Sequence, residues 1–203
     1  MDEEQAAKHW YDRKSAFMEE SLGKEHDMVM HAIFPYAIGG ALDLYYYPNG
    51  IPGTAIATKE LSALPNDGPS NSVYRSYELV MFTKHAIDLD SAKDEKSAFG
   101  RAHSSINAIL NCIARYSAQA RLNPGETCEF PADMEEIGGK CLFFDGYTGN
   151  LKGAPYELGL LAIIEVHRSE MNFARKNGGE ALWKRLKKGR HYPYSDLDRE
   201  PVA

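Results

Sequence analysis

The sequence predicts an α+β fold in which a mixed, largely antiparallel sheet is flanked by helices, all within a single domain over residues 1–203. Three observations predict it. The chain is 43% hydrophobic and 26% charged across 203 residues, enough apolar material for one core and the balance of a globular protein. Strand-like runs cluster on either side of one long helical pattern, without the strand–helix alternation a doubly wound sheet requires. That helical pattern is the clearest in the chain, with Phe99, Ala102, Ile106, Ile109 and Ile113 stepping by three and four residues along one stripe.

Taken in order, residues 3–22 read as a helix within an N-terminal segment 1–23. Ala6, Ala7, Trp10, Phe17 and Met18 recur at roughly helical spacing, and Gly23 is a natural stop. The apolar run 28–34, closed by Pro35, and the run 41–47, closed by Pro48, Asn49 and Gly50, predict two early strands, and 54–58 a third. Residues 65–72 are turn formers throughout. Over 74–83, Tyr77, Leu79, Met81 and Thr83 alternate with Glu78, Val80 and Phe82, and two partly apolar faces predict a central strand. The long helix falls within 91–122. Short strands are expected at 127–130, 140–144 and 158–166, the last aliphatic and buried. Two helices, 170–176 and 180–188, are parted by Gly178 and Gly179 and capped by Gly189, with lysines in the last turn; residues 190–203 form a polar tail.

Charge and motifs narrow the function. A formal net charge of -6 disfavours a phosphate-binding surface and favours a basic partner, so no nucleic acid is expected. Cys112, Cys128 and Cys141 are odd in number and lack C-x-x-C spacing, which suggests a reducing compartment and no zinc knuckle. Asp2, Glu3 and Glu4 open the chain where a signal peptide would be basic, and no run is long enough to span a bilayer, so a cytoplasmic protein off the membrane is expected. There is no phosphate loop and no G-x-S-x-G elbow, and Gly39-Gly40 precedes a strand instead of following one. Seven scattered histidines form no H-E-x-x-H, so neither metal nor cofactor is expected. Two acids stand out: Asp43, between Leu42 and Leu44 and followed by three tyrosines, and Glu78, in an apolar strand. Twelve tyrosines, including Tyr45 to Tyr47, suit either strands or interfaces.

Several pieces carry a family likeness: Phe34-Pro35-Tyr36, Ile38-Gly39-Gly40, Leu42-Asp43-Leu44, Ala57-Thr58-Lys59-Glu60-Leu61-Ser62 and Tyr77-Glu78-Leu79-Val80. Later come Leu161 to Val166, Ser169-Glu170-Met171, Ala174, Gly179, Ala181-Leu182, Leu186, and Tyr192 to Arg199. In this order they resemble bacterial suppressor of fused domain proteins over most of the chain. The resemblance implies a mixed α/β domain without cofactor and an immunity-type role, binding and neutralising the effector domain of a polymorphic toxin. In eukaryotic relatives the segment from a G-L-S-like motif to an F-E-L-like strand helps grip a partner peptide; here that segment is residues 61–78. This chain departs from them in having no second domain of comparable size, so a different contact mode is expected.

The expectation is therefore a non-enzymatic protein-binding module whose partner is another protein, a basic toxin domain. It would act through an acidic, tyrosine-containing surface with Leu61, Ser62, Asp67, Tyr74, Tyr77 and Glu78 as contacts. Two other readings stay open: an intracellular scaffold or regulator, and a hydrolase using Asp43 or Glu78 with a histidine such as His31.

Overall fold

Alternation along the strands sorts the hydrophobic residues onto two faces of one sheet, and the helices cover both. The structure is a computed structural model and describes residues 2–148 and 156–203. Helix α1 (Glu3–Leu22) leads to strands β1 (Val29–Met30), β2 (Leu44–Tyr47), β3 (Thr54–Ala57) and β4 (Tyr77–Thr83), with a 3-10 turn at Tyr36–Ile38. Helix α2 (Ala98–Ser117) precedes β5 (Thr127–Glu129), β6 (Cys141–Gly146) and β7 (Gly159–Val166), and α3 (Arg168–Asn177) and α4 (Gly179–Lys188) follow. The spatial order is β1-β2-β3-β4-β7-β6-β5. Pairing is antiparallel except at the centre, where β4 and β7 run parallel from Tyr77 opposite Gly159 to Val80 opposite Ala162. Two antiparallel arrays thus share a buried parallel seam, and this is the expected α+β single domain with a mixed, mostly antiparallel sheet.

On one face, Ile106, Ile109, Leu110 and Ile113 of α2 pack on Leu44, Tyr46, Ile56, Tyr77, Leu79, Met81 and Ile163. On the other, Met18 and Leu22 of α1 cover Tyr45, Tyr47, Ala55, Val80 and Phe82. Met171 of α3 and Leu182 and Leu186 of α4 cover Phe143, Ile164 and Val166 beside them. Each side chain fully withdrawn from water contributes about 1.5–3 kcal/mol, so the seam strands β4 and β7, buried along their whole length, anchor the fold.

The ends of elements follow local chemistry. Asp2 caps α1 by accepting the Gln5 N–H at 2.8 Å, and α1 stops at Gly23, whose φ of +86° and approach to Gly50 leave no room for a Cβ. Helix α2 lies within the expected 91–122. Ser97 caps it through the Gly100 N–H, while residues before it close turns of their own on Asp88, Ser91 and Asp94. The expected strand 28–34 is reduced to Val29–Met30. Asp43 accepts the Ala32 N–H at 2.8 Å and turns the chain away from the sheet before Pro35. Residues past α4 fold back: Ser195 N–H donates to Phe82 O at 2.9 Å, and the buried Glu170 carboxylate accepts from both Arg199 Nη atoms and from Val202 N.

Candidate functional site

The segment 58–78, which closes one end of β4, is held by a buried ion pair that reaches it from α1. Trp10, Lys14, Met18 and Leu22, spaced by four, form the buried stripe of that helix. Lys14 Nζ donates to Glu78 Oε1 at 2.8 Å, to Lys59 O at 2.5 Å and to Ser62 O at 2.8 Å, which uses all three of its N–H groups. The other oxygen of Glu78 accepts from the Thr58 hydroxyl at 2.6 Å and from Leu61 N at 3.3 Å. Trp10 Nε1 donates to Ser62 Oγ, and Lys59 pairs with Glu25 while lying over the Tyr45 ring. Lys14 and Glu78 are sealed from solvent, so this cluster positions backbone and leaves no free charge for chemistry.

Farther along, Asn71 Oδ1 accepts from both Val73 N and Tyr74 N, and its amide donates to Leu122 O. Tyr74 lies flat on Gly159, where a Cβ would meet its ring at 2.1 Å, and donates its hydroxyl to Thr148 O. Tyr77 is fully buried against α2, and burial raises its phenol pKa. At the tip, Asp67 accepts from Gly68 N at 2.9 Å, and Gly68 sits at φ +89° against Leu61 O. Of the six residues the sequence singled out, Asp67 alone faces solvent; Leu61, Ser62, Tyr74, Tyr77 and Glu78 are buried and hold the segment's shape.

Beside this segment runs a groove of about 420 Å³ lined by Tyr36, Leu61, Gly68, Pro69, Ser70, the end of α2 and the residues just past it, including Arg121. Tyr36 is what the turn that follows β1 contributes to this lining. Ile33, Phe34 and Ile38 are 91%, 67% and 75% exposed there. The turn is nevertheless well fixed. Ala41 N donates to Phe34 O, Gly40 N to Pro35 O, the Tyr36 hydroxyl to Ala114 O at 3.1 Å, and Arg115 to Gly40 O at 3.2 Å. A Cβ on Gly40 would fall 1.7 Å from Phe34 O, so glycine is required for this approach.

The pair suggested for hydrolysis is brought together in part. His31 Nδ1 lies 2.7 Å from Asp43 Oδ2 at the surface, with His31 72% exposed, whereas Glu78 is engaged by Lys14 and Thr58. Asp43 N donates to Glu60, whose carboxyl is raised by burial and further by the charges of Asp43 and Glu78. Elsewhere His167 meets Arg199 O and Glu165 pairs with Lys140. Among the described residues no group of three His, Cys, Asp or Glu side chains could hold a metal ion, and no helix is long and apolar enough to cross a membrane.

Sequence reasoning missed two features. Lys14 occupies a place in a four-spaced apolar stripe, which is itself the mark of a buried charge with a partner. Ile33 and Phe34 read as the end of a strand, although Pro35 and Gly39-Gly40 just beyond them signal a turn.

Residues 41–200 match the family model described as Suppressor of fused protein (SUFU). Among solved structures, one described as a Sufu–Fu complex aligns with a TM-score of 0.61 at 16% identity, over 97% of this chain and 92% of that one. The crystal structure of Drosophila Suppressor of Fused also aligns at 0.61, with 15% identity, over 97% of this chain but 51% of its own, so this chain spans about half of it. At such identities these likenesses show a shared fold. No curated protein sequence matches the chain. The match over residues 41–200 covers well over half of the sequence, and on that ground the chain belongs to the Suppressor of fused (SUFU) family.

Proposed function

We propose that this chain is a non-enzymatic protein-binding module, and that its partner is the effector domain of a polymorphic toxin which it neutralises as an immunity protein. The observation that carries the reading is the fixed turn presenting Ile33, Phe34 and Ile38 to solvent beside the groove of segment 61–78. Folded chains bury such side chains unless a partner covers them, and a rigid apolar wall beside a groove is the form of a protein contact. On this reading Asp67 meets the partner directly, and Leu61, Ser62, Tyr74, Tyr77 and Glu78 keep the groove in shape from beneath. A family relative solved in a Sufu–Fu complex supports a protein as the kind of partner. The net charge of -6 supports a basic one, since opposite charge speeds encounter.

The test is co-expression with the product of an adjacent toxin gene. The pair should co-purify, and cells expressing this chain should survive the toxin. Failure to bind any encoded neighbour, together with capture of a housekeeping protein at the same surface, would replace the immunity role by that of an intracellular scaffold or regulator. The His31–Asp43 contact motivates a second, hydrolytic reading, under which Asp43→Ala abolishes a measurable turnover and leaves partner binding intact.

A further inference from the structure

The turn that follows β1 holds three large apolar side chains in six residues, Ile33, Phe34 and Ile38, at 67–91% exposure, in a chain whose other large hydrophobic side chains are mostly buried. Its backbone is pinned at Phe34, Pro35, Tyr36 and Gly40, so these side chains are displayed by a fixed scaffold. A surface ordered before contact loses little entropy on binding. The turn lies just outside the segment 41–200 that matches the family model, although Phe34-Pro35-Tyr36 and Ile38-Gly39-Gly40 are among the pieces that carry the family likeness.

The charges around the turn decide what fits it. Arg115 reaches the carbonyls of Gly39 and Gly40 at 3.5 and 3.2 Å, directly behind Ile38, and Arg121 lines the adjoining groove. Both guanidiniums are exposed, and the groove's lining includes no carboxylate. Three acids stand close by: Asp43 is turned toward His31 and Ala32 N, Glu60 accepts from Asp43 N, and Asp67 at the tip of the adjoining segment accepts from Gly68 N. An apolar ridge bordered by two arginines is complementary to apolar side chains interspersed with carboxylates, which a guanidinium binds in bidentate fashion.

A second copy of the chain fits poorly. A two-fold contact through this ridge would bring Arg115 and Arg121 of one copy near those of the other, between two bodies each carrying a net charge of -6. Nucleic acid would gain at most one base stacked on Phe34, nothing from Ile33 and Ile38, and would be repelled by the same net charge.

We infer that the Ile33/Phe34/Ile38 ridge with Arg115 and Arg121 is a docking site for an acidic amphipathic segment of a partner protein, one that sets aliphatic or aromatic side chains beside Asp or Glu. This rests on the protein-binding reading above and names the local chemistry of the contact; a partner that is basic overall still carries such a segment where it docks.

The test uses the full chain as bait for a phage-displayed library of random twelve-residue peptides. Enriched peptides should combine aliphatic or aromatic residues with Asp or Glu, and a synthetic copy should bind in fluorescence polarisation. The Ile33→Ser/Phe34→Ser variant should weaken it roughly tenfold or more, as loss of buried anchors does. The Arg115→Glu/Arg121→Glu variant should do likewise and shift enrichment toward Lys- and Arg-bearing peptides. Thermal midpoints control for folding, and Ile38→Ser serves as a second probe if a double variant is unstable. Enrichment of basic peptides by the unaltered chain, no enrichment, or a sedimenting dimer that Ile33→Ser/Phe34→Ser dissolves would each overturn the inference. The two proposals fail separately. Toxin binding undiminished by Ile33→Ser/Phe34→Ser sinks this one alone, and acidic-peptide enrichment without any toxin partner sinks the immunity role alone.

Discussion

Lys14 joins α1 to the sheet through three acceptors, and the fold at that point depends on its charge being matched. Removing one member of a buried pair leaves the other charge desolvated, at a cost of about 3–5 kcal/mol, so Lys14→Ala should lower the unfolding free energy obtained from urea titration by that much. Lys14→Met combined with Glu78→Gln removes both charges and should recover a large part of the loss; a double variant no better than Lys14→Ala would contradict the pairing argument. His103 carries the second prediction at this scale. Its ring is buried between Tyr46 and Phe99, and Nε2 lies 2.9 Å from the Tyr46 hydroxyl. Burial lowers the His103 pKa and pushes the Tyr46 phenol up to about 12. A histidine that protonates more readily unfolded than folded leaves stability intact above its ordinary value near ~6.5. Below that value stability falls as the unfolded chain takes up the proton first. Denaturation midpoints should therefore decline from pH 7 to 5.5, and His103→Phe should flatten that decline.

At the scale of elements, the C-terminal strap and α3 are joined at one carboxylate. Burial alone would raise Glu170, but both Arg199 nitrogens and the N–H groups of Val202 and His167 more than offset it, and its pKa lies below the usual carboxylate range. A depressed acid contributes stability above its unfolded value, near ~4.3, that is lost as pH falls through the folded one. Glu170→Gln should therefore weaken the fold at neutral pH and remove part of its acid sensitivity. Hydrogen exchange at the Ser195 amide, bonded to Phe82 O, should quicken in the same variant as the strap loosens. The elements themselves were largely legible, because periodicity and caps are local. Gly23, the Ile106/Ile109/Ile113 stripe and the Gly178-Gly179 break each fall where the structure uses them. The run 28–34 was misread because hydrophobicity is common to a core strand and to an exposed interface. The Asp43 bond to Ala32 N, a contact eleven residues distant in sequence, helps turn the chain outward. Segment 61–78 shows the converse: its residues were picked out by pattern, but which of them face solvent depends on Lys14, far away in the chain.

Over the whole molecule, charge is segregated. Residues 168–190 hold eight Lys and Arg against Glu170 and Glu180, yet the chain is -6 overall, so the rest is more acidic than the total suggests. Most of those cations are engaged: Arg168 and Arg175 with Glu129, Lys184 with Glu180, Arg185 over Phe173 and Lys187 over Trp183. The far field of the remaining surface is negative and should draw a basic partner toward it over distances near the Debye length. The apolar turn acts only once surfaces touch, so the two contributions separate in kinetics. For a toxin partner, raising salt from about 50 to 500 mM should slow association by roughly tenfold while changing dissociation little. Phe34→Ser should instead hasten dissociation and leave the salt dependence of association as it was. Stopped-flow measurement of both rates decides the matter. An association rate indifferent to salt would show that the net charge has no part in capture, and an unchanged dissociation rate in Phe34→Ser would show that the turn lies outside the contact.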